Sequence, residues 1–285
     1  MLYAPVGLSP FCQPGLPWII LLADTLHRDH PETLPAADIA YREKWISEGL
    51  AHAEAVQCIS DFTRRQIERH FSAPAGKLFV THYAIPDRLR ETIRTAQAPR
   101  PVARPYFFYP ANDWPHKNHE ALLEAYAAYR RQAGAEAWDL TLSGHRAKPG
   151  IWEERIAALG IQGACRILGH VEPEKFAAVF QGAGALVFPS FYEGFGIPVL
   201  EAMAWGVPVT CSRAASLPEV AGDAALYFDP EDPADIARAL GQIATDAGLR
   251  RRLVAAGRKR ALTFSMAREA GRLADRFSTL ALDRP

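Results

Sequence analysis

The sequence predicts an α/β protein: a complete, doubly wound parallel sheet in its second half, preceded by a smaller and partial α/β domain. Three observations carry this. From residue 105 onward, short β-rich runs alternate with longer helical patterns, giving six β units with helical crossovers. Most of those runs end in Gly, Pro or Ser, the residues that punctuate strand ends. The first hundred residues offer fewer elements, three strand-like runs and two helical patterns.

In chain order, 18–23 and 55–59 read as strands, 37–53 and 63–71 as helices, and 78–82 as a third strand. The Arg- and Pro-rich stretch 86–105 has no apolar periodicity, so the linker is expected at 96–104. The strands of the second half are expected at 106–109, 140–143, 166–168, 185–189, 207–211 and 225–228, with helices at 119–131, 152–159, 173–181, 198–204 and 232–245. Two further helices, 249–263 and 266–282, close the chain. The expected organisation is therefore 1–95, a partial N-terminal domain; 96–104, a linker; and 105–285, a complete Rossmann-like domain with closing helices. Ligands of such sheets sit at the carboxyl ends of the strands.

The chain has 285 residues, 49% hydrophobic and 22% charged, as ordinary soluble globular proteins are. Its 32 Lys and Arg balance 32 Asp and Glu, which argues against a nucleic-acid partner, since that needs a strongly cationic surface. The charge is uneven: from 250 to 285 there are ten Lys or Arg against Glu269, Asp275 and Asp283. Two readings stand, a solvated helix face and a peripheral contact with an anionic membrane surface or acidic substrate. No Lys or Arg precedes Arg28, so the n-region of a signal peptide is missing, and the apolar run 18–23 is too short to span a bilayer. Cys12, Cys58, Cys165 and Cys211 show no C-x-x-C spacing. A reduced, cytoplasmic protein is expected, with a peripheral position at the inner membrane face left open by the basic C-terminal segment.

The most informative segment runs from Pro189 to Val209, PSFYEGFGIPVLEAMAWGVPV. A strand enters a loop with Gly194 and Gly196, where a missing side chain lets backbone approach a ligand, and Pro198 suits a first helical turn. Free N–H groups at that helix start, with the dipole behind them, favour an anion such as a diphosphate. Glu193 and Glu201, eight residues apart, are placed to accept hydrogen bonds from hydroxyls flanking it. The competing reading is a plain strand–turn–helix with one surface and one helix-stabilising Glu. A second element, Tyr109-Pro110-Ala111-Asn112-Asp113-Trp114-Pro115-His116-Lys117-Asn118, follows the first strand of this domain and sets Lys117 on a loop entering a helix, where an ammonium can neutralise a leaving diphosphate.

These segments resemble the family-4 glycosyltransferases (glycosyl transferases group 1), whose signature is Glu-Gly-Phe-Gly-x-Pro-x-x-Glu-Ala. The resemblance covers nearly all of 105–265, including Ser143-Gly144, Leu168-Gly169-His170-Val171, Leu217-Pro218-Glu219-Val220 and Gly222-Asp223-Ala224-Ala225. It implies a two-domain GT-B fold and a retaining glycosyltransferase. Glu193 would hold hydroxyls of the donor sugar and Glu201 the ribose. The backbone of Gly194, Phe195, Gly196 and Ile197 would meet the phosphates and sugar, and the base would lie around His170 and Val171. Glu193 and Lys117 are thus the candidate catalytic residues; Asn112, Gly144, His170, Val171, Gly194, Phe195, Gly196, Ile197 and Glu201 are the candidate donor-binding ones. The resemblance implies no cofactor beyond the nucleoside-diphosphate sugar substrate, and a saccharide or lipid-linked acceptor.

The chain departs from the family at several points. The Arg that precedes the Lys by five residues is Asn112 here, which offers only a neutral hydrogen bond. That matches a Pro-Ala-Asn…Pro-His-Lys-Asn variant found among mannosyl- and rhamnosyl-transferring members, so a mannose-like hexose is expected. Pro17 to Asp24 resembles the family's strand ending in His-Asp, but Ala23 stands for the His; Asp24 remains, and His27 or His30 lies near enough in sequence to substitute. Cys58-Ile59-Ser60-Asp61-Phe62-Thr63 matches a strand ending in Ser-x-Phe-Ser. The family's opening Gly-rich loop has no counterpart, and two full domains of about 150–190 residues each would exceed this chain. A donor-binding fragment, without activity or needing a partner subunit, is the alternative expectation.

Other signals are weaker. Gly182-Ala183-Gly184 mimics the opening of a dinucleotide fingerprint but precedes a strand. His116 and His119 are spaced for one helical face, yet no further ligand completes a metal set, and no Asp-x-Asp is present. Ser216 with Glu219 reads as a capping box.

Overall fold

In the computed structural model the described residues are 2–5, 17–85, 105–147 and 150–282; the expected linker at 96–104 lies outside them. The chain divides into two units. The first comprises residues 1–84, 192–195 and 264–285, and the second 85–191 and 196–263. Helix Met266–Leu282, which the sequence attached to the second domain, thus groups with the first.

The first unit is built on four parallel strands in the order β1 (Leu2–Ala4), β2 (Trp18–Leu22), β3 (Ala55–Cys58), β4 (Leu78–Val80). Ile19, Ile20 and Leu22 of β2 and all of β3 are buried, as in a parallel sheet covered on both faces. Their core includes Ile46 and Leu50 from helix Ala36–His52 and Ile67 from helix Asp61–Phe71. Ser60 caps the latter, its Oγ accepting from Thr63 N at 3.0 Å. Helix Met266–Leu282 is tied to this unit by Arg276, which donates to Gly76 O at 2.7 Å, and by buried Glu269, which accepts from His82 N at 3.0 Å. β1 escaped the sequence reading because three residues carry no period.

The second unit has six parallel strands: β5 (Tyr106–Pro110), β6 (Asp139–Ser143), β7 (Cys165–Ile167), β8 (Ala185–Phe188), β9 (Val209–Ser212) and β10 (Ala225–Phe228), ordered β10-β9-β8-β5-β6-β7. All six coincide with expected strands to within two residues at each end. The fifth starts at Val209 rather than 207, because Val207 N donates to Ala202 O at 2.8 Å and closes the preceding helix. Phe107, Phe108, Leu140, Leu186 and Val187 are fully buried, with the Phe108 ring edge-on to Phe180 at 5.1 Å. Gly184 has a packing role: a Cβ there would stand 2.5 Å from the nearest atom of the Trp138 ring.

The cationic excess at 250–285 is partly internal. Arg250 donates to Ile243 O and Ala244 O, Arg260 Nε to Val220 O at 3.0 Å, and Arg272 pairs with Glu269 at 3.3 Å. Among the described residues no helix is long and apolar enough to cross a membrane.

Candidate functional site

Strand order decides where the second unit can hold a ligand. From β5 the chain winds outward through β6 and β7, then returns to β5's other side and continues through β8, β9 and β10. β5 and β8 are therefore neighbours whose following loops run to helices on different crossovers, which opens a crevice at their carboxyl ends. The two segments singled out in the sequence, after β5 and after β8, are those loops.

The loop after β5 is held along its length. Ala111 N donates to Ser143 O at 2.8 Å, Asn112 Oδ1 accepts from His145 N at 2.8 Å, and Asp113 Oδ2 accepts from Ala147 N at 2.7 Å. A 3-10 turn, Pro115–Lys117, follows and ends at Asn118 in the left-handed region, φ 59°, which Asn tolerates better than other non-glycine residues. Asn118 Nδ2 donates to Pro189 O at 3.1 Å and Pro230 O at 2.8 Å, while Phe191 N donates to His116 O at 2.9 Å. Tyr109 Oη, deep on β5, donates to Lys117 O at 2.6 Å. The loops after β5 and β8 are thus stitched together, and the Lys117 main chain is fixed with its side chain half-buried.

Next to Lys117, His119 is buried, its ring stacked on Trp152 at 4.3 Å and lying 4.8 Å from Tyr109. Burial pushes its pKa down to about 3, so the imidazole stays neutral. Among the described residues no three His, Cys, Asp or Glu are grouped to hold a metal.

Helix Ile197–Trp205 begins at Gly196, whose φ of +95° is a glycine conformation and whose Cα faces Leu217, 2.6 Å from where a Cβ would stand. Pro198 occupies the first turn, Ile197 is 43% exposed, and Glu201 is half-buried one turn in. At the end of β6, Gly144 adopts φ +143° against the Ala111–Asn112 backbone, and its N donates to Gly169 O at 2.9 Å. Exposed His170 and half-buried Val171 follow. The second unit therefore interlocks the loops that carry Asn112, Lys117 and Gly144, while Gly196, Ile197 and Glu201 stand at the start of the helix that follows the β8 loop.

Glu193, Gly194 and Phe195 group with the first unit. Tyr192 Oη accepts from Thr25 N at 3.1 Å, and Ser60 Oγ donates to Gly194 O at 2.7 Å. A Cβ on Gly194 would stand 3.1 Å from the Ala23 carbonyl carbon and closer still to its oxygen. Phe195 is buried beside Tyr83, His82 and Phe264, at 5.5, 5.9 and 5.7 Å, so only its backbone can meet a ligand. Glu193 between them is half-buried.

Of the candidate substitutes for the missing His, Asp24 accepts from Leu26 N at 2.9 Å and Arg42 at 3.0 Å. His27 is buried 3.3 Å from Glu43, its pKa lowered by that burial, and His30 Nδ1 lies 3.1 Å from Glu32. At the expected capping box Ser216 already has helical angles, and its side chain does not cap helix Leu217–Ala221. Tyr109, Asn118, Thr25 and Tyr192 have no role assigned from the sequence; only Asn118, an Asn between a turn and a helix, carried a local signal.

The profile of the family described as glycosyl transferases group 1 matches residues 91–260. The chain belongs to this family. It is 36% identical over 245 residues to O-antigen chain mannosyltransferase B of Escherichia coli, a match covering 82% of the chain and 63% of that protein. It is 36% identical over 154 residues to the MMP alpha-(1->4)-mannosyltransferase of Mycolicibacterium hassiacum, covering 53% of the chain and 36% of that protein. The chain thus spans less than two thirds of the length of either relative. The solved sucrose-phosphate synthase of Thermosynechococcus elongatus superposes with a TM-score of 0.75 at 21% identity, over 95% of this chain and 70% of that one. The fold is GT-B, two parallel-sheet units of Rossmann-like character.

Proposed function

We propose that this chain transfers a hexose, mannose or a close analogue, from a nucleoside-diphosphate sugar to an acceptor hydroxyl with retention of anomeric configuration. The observation that carries the reading is the pair of loops stitched together at the β5–β8 switch point, one presenting Lys117 and the other running to the helix mouth at Gly196. The mannosyl preference rests on Asn112 and on two relatives that are themselves mannosyltransferases. The acceptor is a saccharide, free or lipid-linked, as in polysaccharide or glycoconjugate synthesis, and a cytoplasmic location fits such a donor.

The barrier lies in expelling the diphosphate as the anomeric carbon gains positive charge. Amides at the mouth of helix Ile197–Trp205 and the Lys117 ammonium stabilise the departing charge. Glu193 orients the hexose, Glu201 the ribose, and backbone near His170 and Val171 meets the base. The acceptor oxygen bonds to the anomeric carbon as the bond to the phosphate oxygen breaks, and the hydroxyl proton passes to the leaving phosphate on the same face. Lys117→Ala should slow turnover by roughly 10²–10³, about 2–4 kcal/mol of transition-state stabilisation. Release of nucleoside diphosphate from GDP-mannose or UDP-glucose measures it. Unchanged turnover removes Lys117 from the mechanism, and nucleotide binding without turnover in the wild type favours a donor-binding module instead.

A further inference from the structure

Glu193 has an anchored residue on each side, and both anchors lead to the same short stretch of the first unit. Upstream, Tyr192 is buried, and its hydroxyl is met twice by Thr25: the main-chain N–H donates to it at 3.1 Å, and the Oγ1 lies 3.1 Å away. Thr25 is fully buried, and its Oγ1 donates to Asp29 Oδ2 at 2.6 Å. Asp29 Oδ1 in turn accepts from Gln66 at 2.8 Å and lies 2.7 Å from His70 Nε2, so the Thr25 hydroxyl is oriented from helix Asp61–Phe71. Downstream, the Gly194 carbonyl accepts from Ser60 Oγ at 2.7 Å and Thr63 Oγ1 at 3.4 Å, and both hydroxyls are fully buried residues. Thr63 Oγ1 also reaches Ala23 O at 3.1 Å, the carbonyl against which Gly194 is pressed.

A half-buried carboxylate on a loop is usually free to choose among rotamers, and each unfrozen rotamer dilutes the geometry a reaction needs. Here the main chain on both sides is clamped by buried hydroxyls within a hydrogen-bonded network, where an unmet partner is costly. We infer that Thr25 and Ser60 are positioning residues for the Glu193 carboxylate: the Thr25–Tyr192 and Ser60–Gly194 hydrogen bonds set its aim on the donor hexose. This rests on the role of Glu193 in the function proposed above. Neither Thr25 nor Ser60 touches the substrate in this account. They act through the two residues flanking Glu193.

The test compares Thr25→Val, Thr25→Ser, Ser60→Ala and Glu193→Gln, together with the Thr25→Val/Glu193→Gln double variant. Release of GDP from GDP-mannose gives kcat and KM, and melting temperatures confirm folding. Thr25→Val and Ser60→Ala should lower kcat by about tenfold with KM changed little, the size expected of a misaimed rather than a missing group. Thr25→Ser, which keeps the hydroxyl, should recover most of the rate. Thr25→Val should cost nothing further in the Glu193→Gln background, because there is then no carboxylate left to aim. Should Thr25→Val fail to fold, Ser60→Ala alone and combined with Glu193→Gln carries the same comparison. Additive losses in the double variant, or wild-type kcat in both Thr25→Val and Ser60→Ala while Glu193→Gln is impaired, overturn the positioning role. Full turnover by Glu193→Gln instead overturns the role of Glu193 on which the inference stands.

Discussion

Replacing Gly144 by Ala perturbs the loop after β5 through its main chain. An added Cβ would stand 2.5 Å from the Ala111 carbonyl carbon and 2.9 Å from Asn112 N, and nearer still to Ala111 O. All of these are main-chain atoms, so no side chain can swing aside. The loop after β5 must move by several tenths of an ångström or more, carrying with it the Asn112–His145 and Asp113–Ala147 hydrogen bonds. The φ of +143° adds strain for any residue with a Cβ. Overpacking of this kind costs about 1–3 kcal/mol and the backbone strain about 1–3 more, so a total near 2–6 kcal/mol is expected. For a unit of this size each kcal/mol lowers the melting temperature by roughly 2–4 °C, giving a fall of about 4–24 °C. Thermal unfolding followed by far-UV circular dichroism measures it, with Gly163→Ala, where the added Cβ meets nothing within 4 Å, as control. A Gly144→Ala melt within a degree of the control would refute the close-approach argument.

Other perturbations follow from the same geometry. His119 carries a pKa lowered to about 3 by burial, so the unfolded chain binds the proton that the folded chain excludes. Stability should therefore fall as pH drops from about 6.5 to about 3, by about 1.4 kcal/mol per unit, and His119→Phe should flatten that slope in pH-dependent urea melts; an unchanged slope contradicts it. Gly194→Ala forces a side chain into the Ala23 carbonyl and should lower donor turnover more than nucleotide binding, because the Gly196 helix mouth is left in place. Parallel turnover and calorimetry measurements check this, and equal losses in both argue against it. Lys117→Ala should show the rate loss given above and keep the Tyr109 hydrogen bond, which the main-chain oxygen of Lys117 accepts.

Where the fold was legible in the sequence, it was legible for physical reasons. Most strands of the second unit are short runs closed by Gly, Pro or Ser, and burial along the whole of β6, β8 and β9 leaves little ambiguity about them. Pro198 after Gly196 marked the helix start because one residue permits φ +95° and the other fits a first turn. Elements without such chemistry were missed: β1 is three residues long, and helix Leu26–Asp29 is a single turn. Non-local contacts were the other blind spot. Tyr192 finds Thr25 across 167 residues, and helix Met266–Leu282 joins the first unit through His82 and Gly76, pairings that no local pattern encodes. Ser216 and Glu219 carried a capping pattern, yet the chain already has helical angles at Ser216, and the Ser216 side chain does not cap the helix.

The central claim is that the amide-lined mouth of helix Ile197–Trp205 and the neighbouring Lys117 receive a nucleoside diphosphate. The most direct measurement is the melting temperature of the wild type and Lys117→Ala in the presence of GDP and UDP, with the free nucleosides as controls. A diphosphate at about a hundred times its dissociation constant should stabilise the wild type by about 2.7 kcal/mol, and less in the variant, whereas the nucleosides should do little. Equal shifts by nucleoside and nucleoside diphosphate, or none by either diphosphate, would contradict it.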